Sequence, residues 1–353
     1  AFQSTSMQGR DRHGLETTSC PQLRVSISLV TRDRPLFLEH ALLLICRQDY
    51  PADLIEVVLV DSSEPPIAHQ LELWPVRALF GERLRYFHVP GRTSIGEKRN
   101  LAVRQSHGDV VMQWDDDDYY GANRVRAQVE PIRLGRARLT ALRFGLWYFL
   151  DQDEFWRGPT EEAGIGLNGG HPGTLCFDRT VWSDADPRLR YPHTNFADPD
   201  DFHAAASELL NAGTEEVGGE VDFVYVRHCR AAASCEGGLR LGLEECMLGI
   251  YFEILGVRGF GTQIDRPAFL PSRTLDLWVR IRCSEVLPAV VPPTSPSDCT
   301  TSHFNRRLVD AIHVLKVNMD RYSDLELRAW LLGRAPNDGT RRRDEIREIF
   351  RRE

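Results

Sequence analysis

Four short runs rich in β-branched and apolar residues stand out in the first third of the chain: Val25–Val30, Ile55–Val60, Leu84–His88 and Asp109–Gln113. Each is closed by a polar cluster, which is the pattern of a strand. The stretches between them, Pro35–Arg47, Ile67–Leu79 and Ile95–Gln105, carry helical patterning, the first with proline in its opening turn. Pro75 lies inside the second and must kink or end it. Strands alternating with helices of this length predict βαβ units, hence an α/β fold with a doubly wound, mostly parallel sheet. The unbroken run Glu56-Val57-Val58-Leu59-Val60 fits a strand covered on both faces.

After Asp118 the pattern is less regular. Asn123–Leu134 and Asp200–Asn211 read as helices, Leu139–Leu150 as one or two strands, and Thr174–Phe177 and Asp222–Arg227 as strands. Gly158–Gly173 is a glycine-rich loop, too long for a simple turn. A last section, 236–353, reads as a mainly helical C-terminal extension: a helix at Leu239–Leu255, a proline-rich linker at 288–297 and a helical tail from Ser302. The polar lead-in, residues 1–22, reads as disordered.

Composition narrows the function classes. The 353 residues are 42% hydrophobic and 27% charged, an ordinary globular balance with enough chain for about two domains. A formal charge of −8 argues against a nucleic-acid binder, which needs a basic face. The longest wholly apolar run, Ala41–Cys46, is far short of the ~20 residues of a membrane span. Eight scattered cysteines with no Cys-x-x-Cys pair read as buried thiols, not as disulfides or zinc ligands. With no basic, apolar signal sequence at the start, the expectation is a soluble protein, cytoplasmic in preference to secreted.

In open parallel sheets, ligands bind beyond the carboxyl ends of the strands. Thr31 follows the first strand, Asp61 the second, and the run Asp115-Asp116-Asp117-Asp118 the fourth. Four adjacent carboxylates need a counter-charge. Alternation predicts that Asp115 and Asp117 point one way, Asp116 and Asp118 the other. A divalent ion, Mn²⁺ or Mg²⁺, suits carboxylates plus substrate phosphates. The plainer alternative is an acidic loop in which Asp118 or Asn123 caps the next helix. Lys98 and Arg99, at the start of a helix, supply cations for phosphate. Neither a G-x-G-x-x-G after the first strand nor a P-loop nor a G-x-S-x-G elbow is present.

Val25 through Pro35 resembles the opening strand and turn of family 2 glycosyltransferases. Gln48-Asp49-Tyr50-Pro51, Glu56 through Ser63, Lys98-Arg99-Asn100, Gly108-Asp109 and Asp115–Asp118 follow in that family's order. Gly173-Thr174 with Phe177, Arg179 and Trp182, then Asp200-Asp201, then Val226-Arg227-His228, are similar to its acceptor-side segments, so the likeness spans about residues 24–235. The resemblance implies a GT-A fold with a nucleotide-sugar-binding half over 23–120 and an acceptor-binding half over 121–235. It implies a donor pocket of Thr31, Asp61, Lys98, Arg99, Asp115 and Asp116, and metal ligation by Asp117 with Asp115 and His228. Asp201 would be the general base, with Asp200 in place of the usual Glu. Asp33 replaces a common Asn, and Ser62-Ser63 a more acidic stretch. The Gln-x-x-Arg-Trp motif of processive synthases is absent.

The implied activity is metal-dependent, inverting transfer from a nucleotide-sugar, a UDP-sugar foremost, to a hydroxyl of a glycan, protein or small molecule. A single carboxylate opposite the leaving group implies one in-line displacement. A metal-dependent nucleotidyl or phosphoryl transferase, or a non-catalytic glycan- or nucleotide-binding module, are the alternatives. Trp147, Tyr148 and Trp156 are either sugar-stacking residues or core aromatics.

Overall fold

The computed structural model describes residues 21–71, 75–91, 93–143, 145–150, 153–158, 170–193, 198–211, 213–219, 222–228 and 261–286. The lead-in up to residue 20 and the segments expected to form a helix at Leu239–Leu255, a proline-rich linker and a helical tail lie outside these residues, as does most of the Gly158–Gly173 loop.

A seven-stranded sheet organises the molecule in the order β10-β6-β9-β4-β1-β2-β3. Its strands are β1 (Val25–Thr31), β2 (Ile55–Asp61), β3 (Leu84–His88), β4 (Val110–Asp115), β6 (Leu139–Leu142), β9 (Cys176–Asp178) and β10 (Thr214–Val217). β1 through β4 run parallel, as does the β6–β10 pair, and β9 lies antiparallel between β4 and β6. Both faces are covered. Val25, Ile27, Leu29, Val57 and Leu59 pack on α1 (Pro35–Cys46), α3 (Pro75–Phe80) and α5 (Arg124–Arg133). Val30, Val58, Val60 and Val111 turn the other way, towards α4 (Ile95–Arg104) and α6 (Asp198–Leu210). This period-two division of apolar side chains is why β1 and β2 read as unbroken hydrophobic runs.

The elements expected from the sequence form within a residue or two of their predicted bounds, with two instructive departures. The helix expected over Ile67–Leu79 is broken into α2 (Ala68–Leu71) and α3, with Pro75 opening the second piece. The helix expected over Asp200–Asn211 starts at Asp198, since Pro199 is tolerated in a first turn. α4 is capped by Ser94, whose hydroxyl accepts from Glu97 N while Glu97 returns a bond to Ser94 N.

A second sheet, in the order β12-β8-β7-β11-β5, stands beside the first. It consists of β5 (Tyr119–Tyr120), β7 (Leu146–Phe149), β8 (Glu154–Arg157), β11 (Phe223–Arg227) and β12 (Thr262–Ile264). β12 adds to the β8 edge, and α7 (Ser272–Ile281) buries Trp278 on Tyr148 at 4.5 Å between ring centroids. This part of the expected C-terminal extension is therefore continuous with the second sheet. Trp147 and Tyr148 are core residues.

Candidate active site

β1, β2 and β4 end side by side, with Thr31 paired to Asp61 and Val30 to Asp115. Thr31, Asp61 and the aspartate run, separated by up to 87 residues, thus meet at one sheet edge. The run is also the seam of the fold: β4 ends at Asp115 in the first sheet and β5 begins at Tyr119 in the second.

Each aspartate has its own partner. Asp115 accepts from Arg99 at 2.7 Å, and Asp116 accepts from Thr31 Oγ1 at 2.6 Å and from Arg34 at 2.5 Å. Asp117 Oδ2 accepts from the other arm of Arg34 at 2.7 Å and faces His228 Nε2 at 3.3 Å. Asp118 is buried and accepts from Val226 N at 2.9 Å. The expected strict alternation fails, because the strand ends at Asp115 and the turn beyond it lets Arg34 reach both Asp116 and Asp117. Nor does either candidate cap serve α5: Asn123 makes no side-chain cap bond, and the Asp118 carboxylate accepts from Val226 N of β11 instead.

The charges sort accordingly. Burial pushes Asp116 up to about 7, against the pull of Arg34, and holds Asp118 well above the usual carboxylate range. Burial also raises Asp115. At Asp117 burial acts in the same direction, yet Arg34 and His228 outweigh it and hold the carboxyl well below its ordinary value. His228 is driven towards its neutral form by burial.

Asp61 and Lys98 are turned inward. The Asp61 carboxylate accepts from Ser63 N, Ile67 N and the Tyr86 hydroxyl at 2.7, 3.1 and 2.7 Å. It thereby fixes the loop after β2. Lys98 Nζ donates to Thr31 O and Ser62 Oγ, each at 3.1 Å. Asp33 adopts φ 49°, the left-handed region in which Asn and Asp are enriched, and accepts from Glu64 N. Asp201 is exposed in the first turn of α6. That helix packs against the 3₁₀ turn Pro172–Thr174, whose Gly173 faces Asp115: a Cβ there would lie 2.7 Å from Asp115 Oδ2.

Three residues escaped the sequence reading. Arg34 stands in the quoted opening segment, but nothing in its spacing ties it to carboxylates 82 residues away. Arg124 is fully buried between Trp114 and Tyr120, 4.4 and 3.8 Å from their ring centroids. His171 is buried, accepts from Gly173 N and packs on Tyr225.

The donor set fits a divalent ion. The Asp117 carboxylate and the His228 imidazole, whose Nδ1 has no partner among the described residues, are the ligand types that Mn²⁺ or Mg²⁺ accepts. No group of three potential ligands occurs among the described residues. An ion held by Asp117, with His228 and Asp115 nearby, would take its remaining ligands from water and phosphate oxygens.

These features define an α/β domain with a carboxylate-lined sheet edge. Residues 26–169 match the model of glycosyl transferase family 2. That match covers part of the segment in which the sequence resembles the family, and the mostly parallel sheet with helices on both faces is the expected α/β architecture. No curated protein sequence matches the chain. Among solved structures, S. aureus TarS in complex with UDP is similar at 16% identity and TM-score 0.43, over 73% of this chain and 70% of that one. A mannosyltransferase from Pyrobaculum calidifontis, PcManGT, in complex with GDP-Man and Mn²⁺, is similar at 15% identity and TM-score 0.43, over 88% and 84%. GalNAc-T7 with UDP, GalNAc and Mn²⁺ is similar at 14% identity and TM-score 0.43, over 60% and 44%. No described helix is long and apolar enough to cross a membrane.

Proposed function

We propose that this chain is a metal-dependent, inverting glycosyltransferase that moves a hexosyl group from a nucleoside-diphosphate sugar, a UDP-sugar foremost, to an acceptor hydroxyl. The observation that carries the reading is the gathering of Thr31, Asp61, Arg99 and Asp115–Asp117 at the carboxyl edge of β1, β2 and β4, within the family-matched segment. The base and ribose would lie over the loop that Asp61 holds. A divalent ion at Asp117 would neutralise the charge developing on the departing diphosphate. Arg99 stands at the same edge to add positive charge where that leaving group forms. Asp201 would take the proton of the acceptor hydroxyl as its oxygen bonds the anomeric carbon and the bond from that carbon to the diphosphate breaks.

Incubation with Mn²⁺ and a panel of nucleotide-sugars should release nucleoside diphosphate, and NMR of the glycoside should show the anomeric configuration inverted. Release of pyrophosphate would point to nucleotidyl transfer instead. Donor binding without either product would point to a binding module.

A further inference from the structure

Arg34 makes the closest cationic contacts of the aspartate run. Its two terminal nitrogens reach Asp117 Oδ2 at 2.7 Å and Asp116 Oδ1 at 2.5 Å, and its side chain is 11% exposed. The guanidinium rests over the ring of Phe37, with 5.7 Å from its central carbon to the ring centroid. Phe37 in turn stacks on His228 at 4.5 Å. Asp116 has both oxygens engaged, one by Arg34 and one by Thr31, whereas Asp117 shares a single oxygen between Arg34 and His228. A planar, permanently charged fork therefore bridges the carboxylates of Asp116 and Asp117. A divalent cation brought to Asp117 would meet that positive charge at close range, in a pocket with little water to screen it.

We propose that Arg34 is a built-in counter-ion that occupies the cation position at Asp117 while the donor is absent, and that a nucleoside diphosphate must arrive for a divalent ion to displace it. The phosphates would offer the guanidinium an alternative bidentate partner as the ion takes Asp117. Arg34 can keep its hold on Asp116 throughout, since Thr31 fixes that carboxylate from the other side. Metal and diphosphate would then bind interdependently, each weakly alone. The inference rests on the donor reading above, but its first arm needs no nucleotide.

The test measures Mn²⁺ binding by electron paramagnetic resonance on the full chain, without nucleotide, in wild type, Arg34→Met and Arg34→Lys. Removing one unit charge this close to the carboxylate should tighten Mn²⁺ binding about tenfold or more in Arg34→Met. Arg34→Lys should stay near wild type, because it keeps the charge. Arg34→Gln, read the same way, replaces Arg34→Met if circular dichroism shows that variant unfolded. Titrating UDP next should tighten Mn²⁺ binding strongly in wild type and little in Arg34→Met. Equal Mn²⁺ affinity in wild type and Arg34→Met, or Mn²⁺ binding undetectable in every variant, overturns the proposal. Tightening in Arg34→Met together with no effect of UDP in any variant would uphold the counter-ion and sink the UDP reading instead.

Discussion

Lys98 is 4% exposed and directs its ammonium at Thr31 O and Ser62 Oγ, so its first effect is on the fold of the edge. Burial, aided by Arg34, lowers its pKa to about 8. An unfolded lysine titrates near ~10.4. Between those values the unfolded chain binds more protons, so the charged lysine weakens folding near neutrality and the cost fades as pH rises from about 8 to ~10.4. Wild type should therefore gain stability relative to Lys98→Met across that window, by up to about 3 kcal/mol. Denaturant midpoints taken at pH 7.5 and 10 check this, and parallel curves for the two proteins would exclude it. Asp201 sits at the opposite extreme, exposed in the first turn of α6. A general base contributes ~10²–10⁴-fold in rate. Asp201→Asn should lower kcat by that order with UDP–Mn²⁺ affinity nearly intact, because the proposed metal ligands Asp115 and Asp117 lie at the end of β4 and in the turn after it, not on α6. Asp200→Asn should cost much less. The reverse ranking would move the role to Asp200 or Asp198.

At the scale of elements, the edge is accurate only if β1 and β4 keep register, and the entry to β4 is tightly fitted. Gly108 N donates to Ser26 Oγ at 2.7 Å, and a Cβ on Gly108 would lie 2.7 Å from Ser26 N and 2.9 Å from Arg24 O. These are backbone atoms inside a sheet and cannot swing aside. Gly108→Ala should cost about 1–3 kcal/mol, the range for an overpacked interior site, with a denaturant slope like wild type. Gly145→Ala, where a Cβ would meet nothing within 4 Å, is the matched control. Equal stability of the two variants would show that β4 shifts to make room. The parallel strands were legible in the sequence because burial on both faces forces long apolar runs such as Val57 to Val60. β5 was not: two tyrosines carry no periodicity, and their pairing with Val224 and Phe223 is set by the other strand. β8 was missed for the same reason, as Glu154–Arg157 becomes a strand by lying between β7 and β12. At the site, strand ends foretold the meeting of Thr31, Asp61 and Asp115. The inward turn of Lys98 and the bridge made by Arg34 depend on side-chain reach across elements, which strand spacing does not encode.

Across the whole molecule, the two sheets share the aspartate run, so packing on the second sheet bears on carboxylates that the first one aligns. Trp278 of α7 is buried against Tyr148 at 4.5 Å, and against Tyr119, Phe155 and His40 at 6.3, 6.2 and 5.8 Å. Tyr148 is in register with Val226 across β7 and β11, and Val226 N is the donor to Asp118. His228 lies two residues further on and faces Asp117. A path of neighbouring residues thus runs from α7 to Asp117, the proposed metal ligand. Removing a buried tryptophan costs about 3–5 kcal/mol, and the void left by Trp278→Ala would open between α7, α1 and β7. Ile27, Val57 and Met112 belong to the same continuous core, but the rings around Trp278 are Tyr148, Tyr119, Phe155 and His40, so the loss should be felt most on the second sheet. Hydrogen exchange should quicken at Tyr148, Val226 and Arg227 while the amides of Ile27 and Val58 stay protected, and UDP–Mn²⁺ affinity should fall although no ligand-facing residue has changed. Uniform quickening in both sheets would mean that they unfold as one unit. Unchanged exchange at Val226 with lost affinity would mean that Trp278 acts on the site by some other route than β7 and β11.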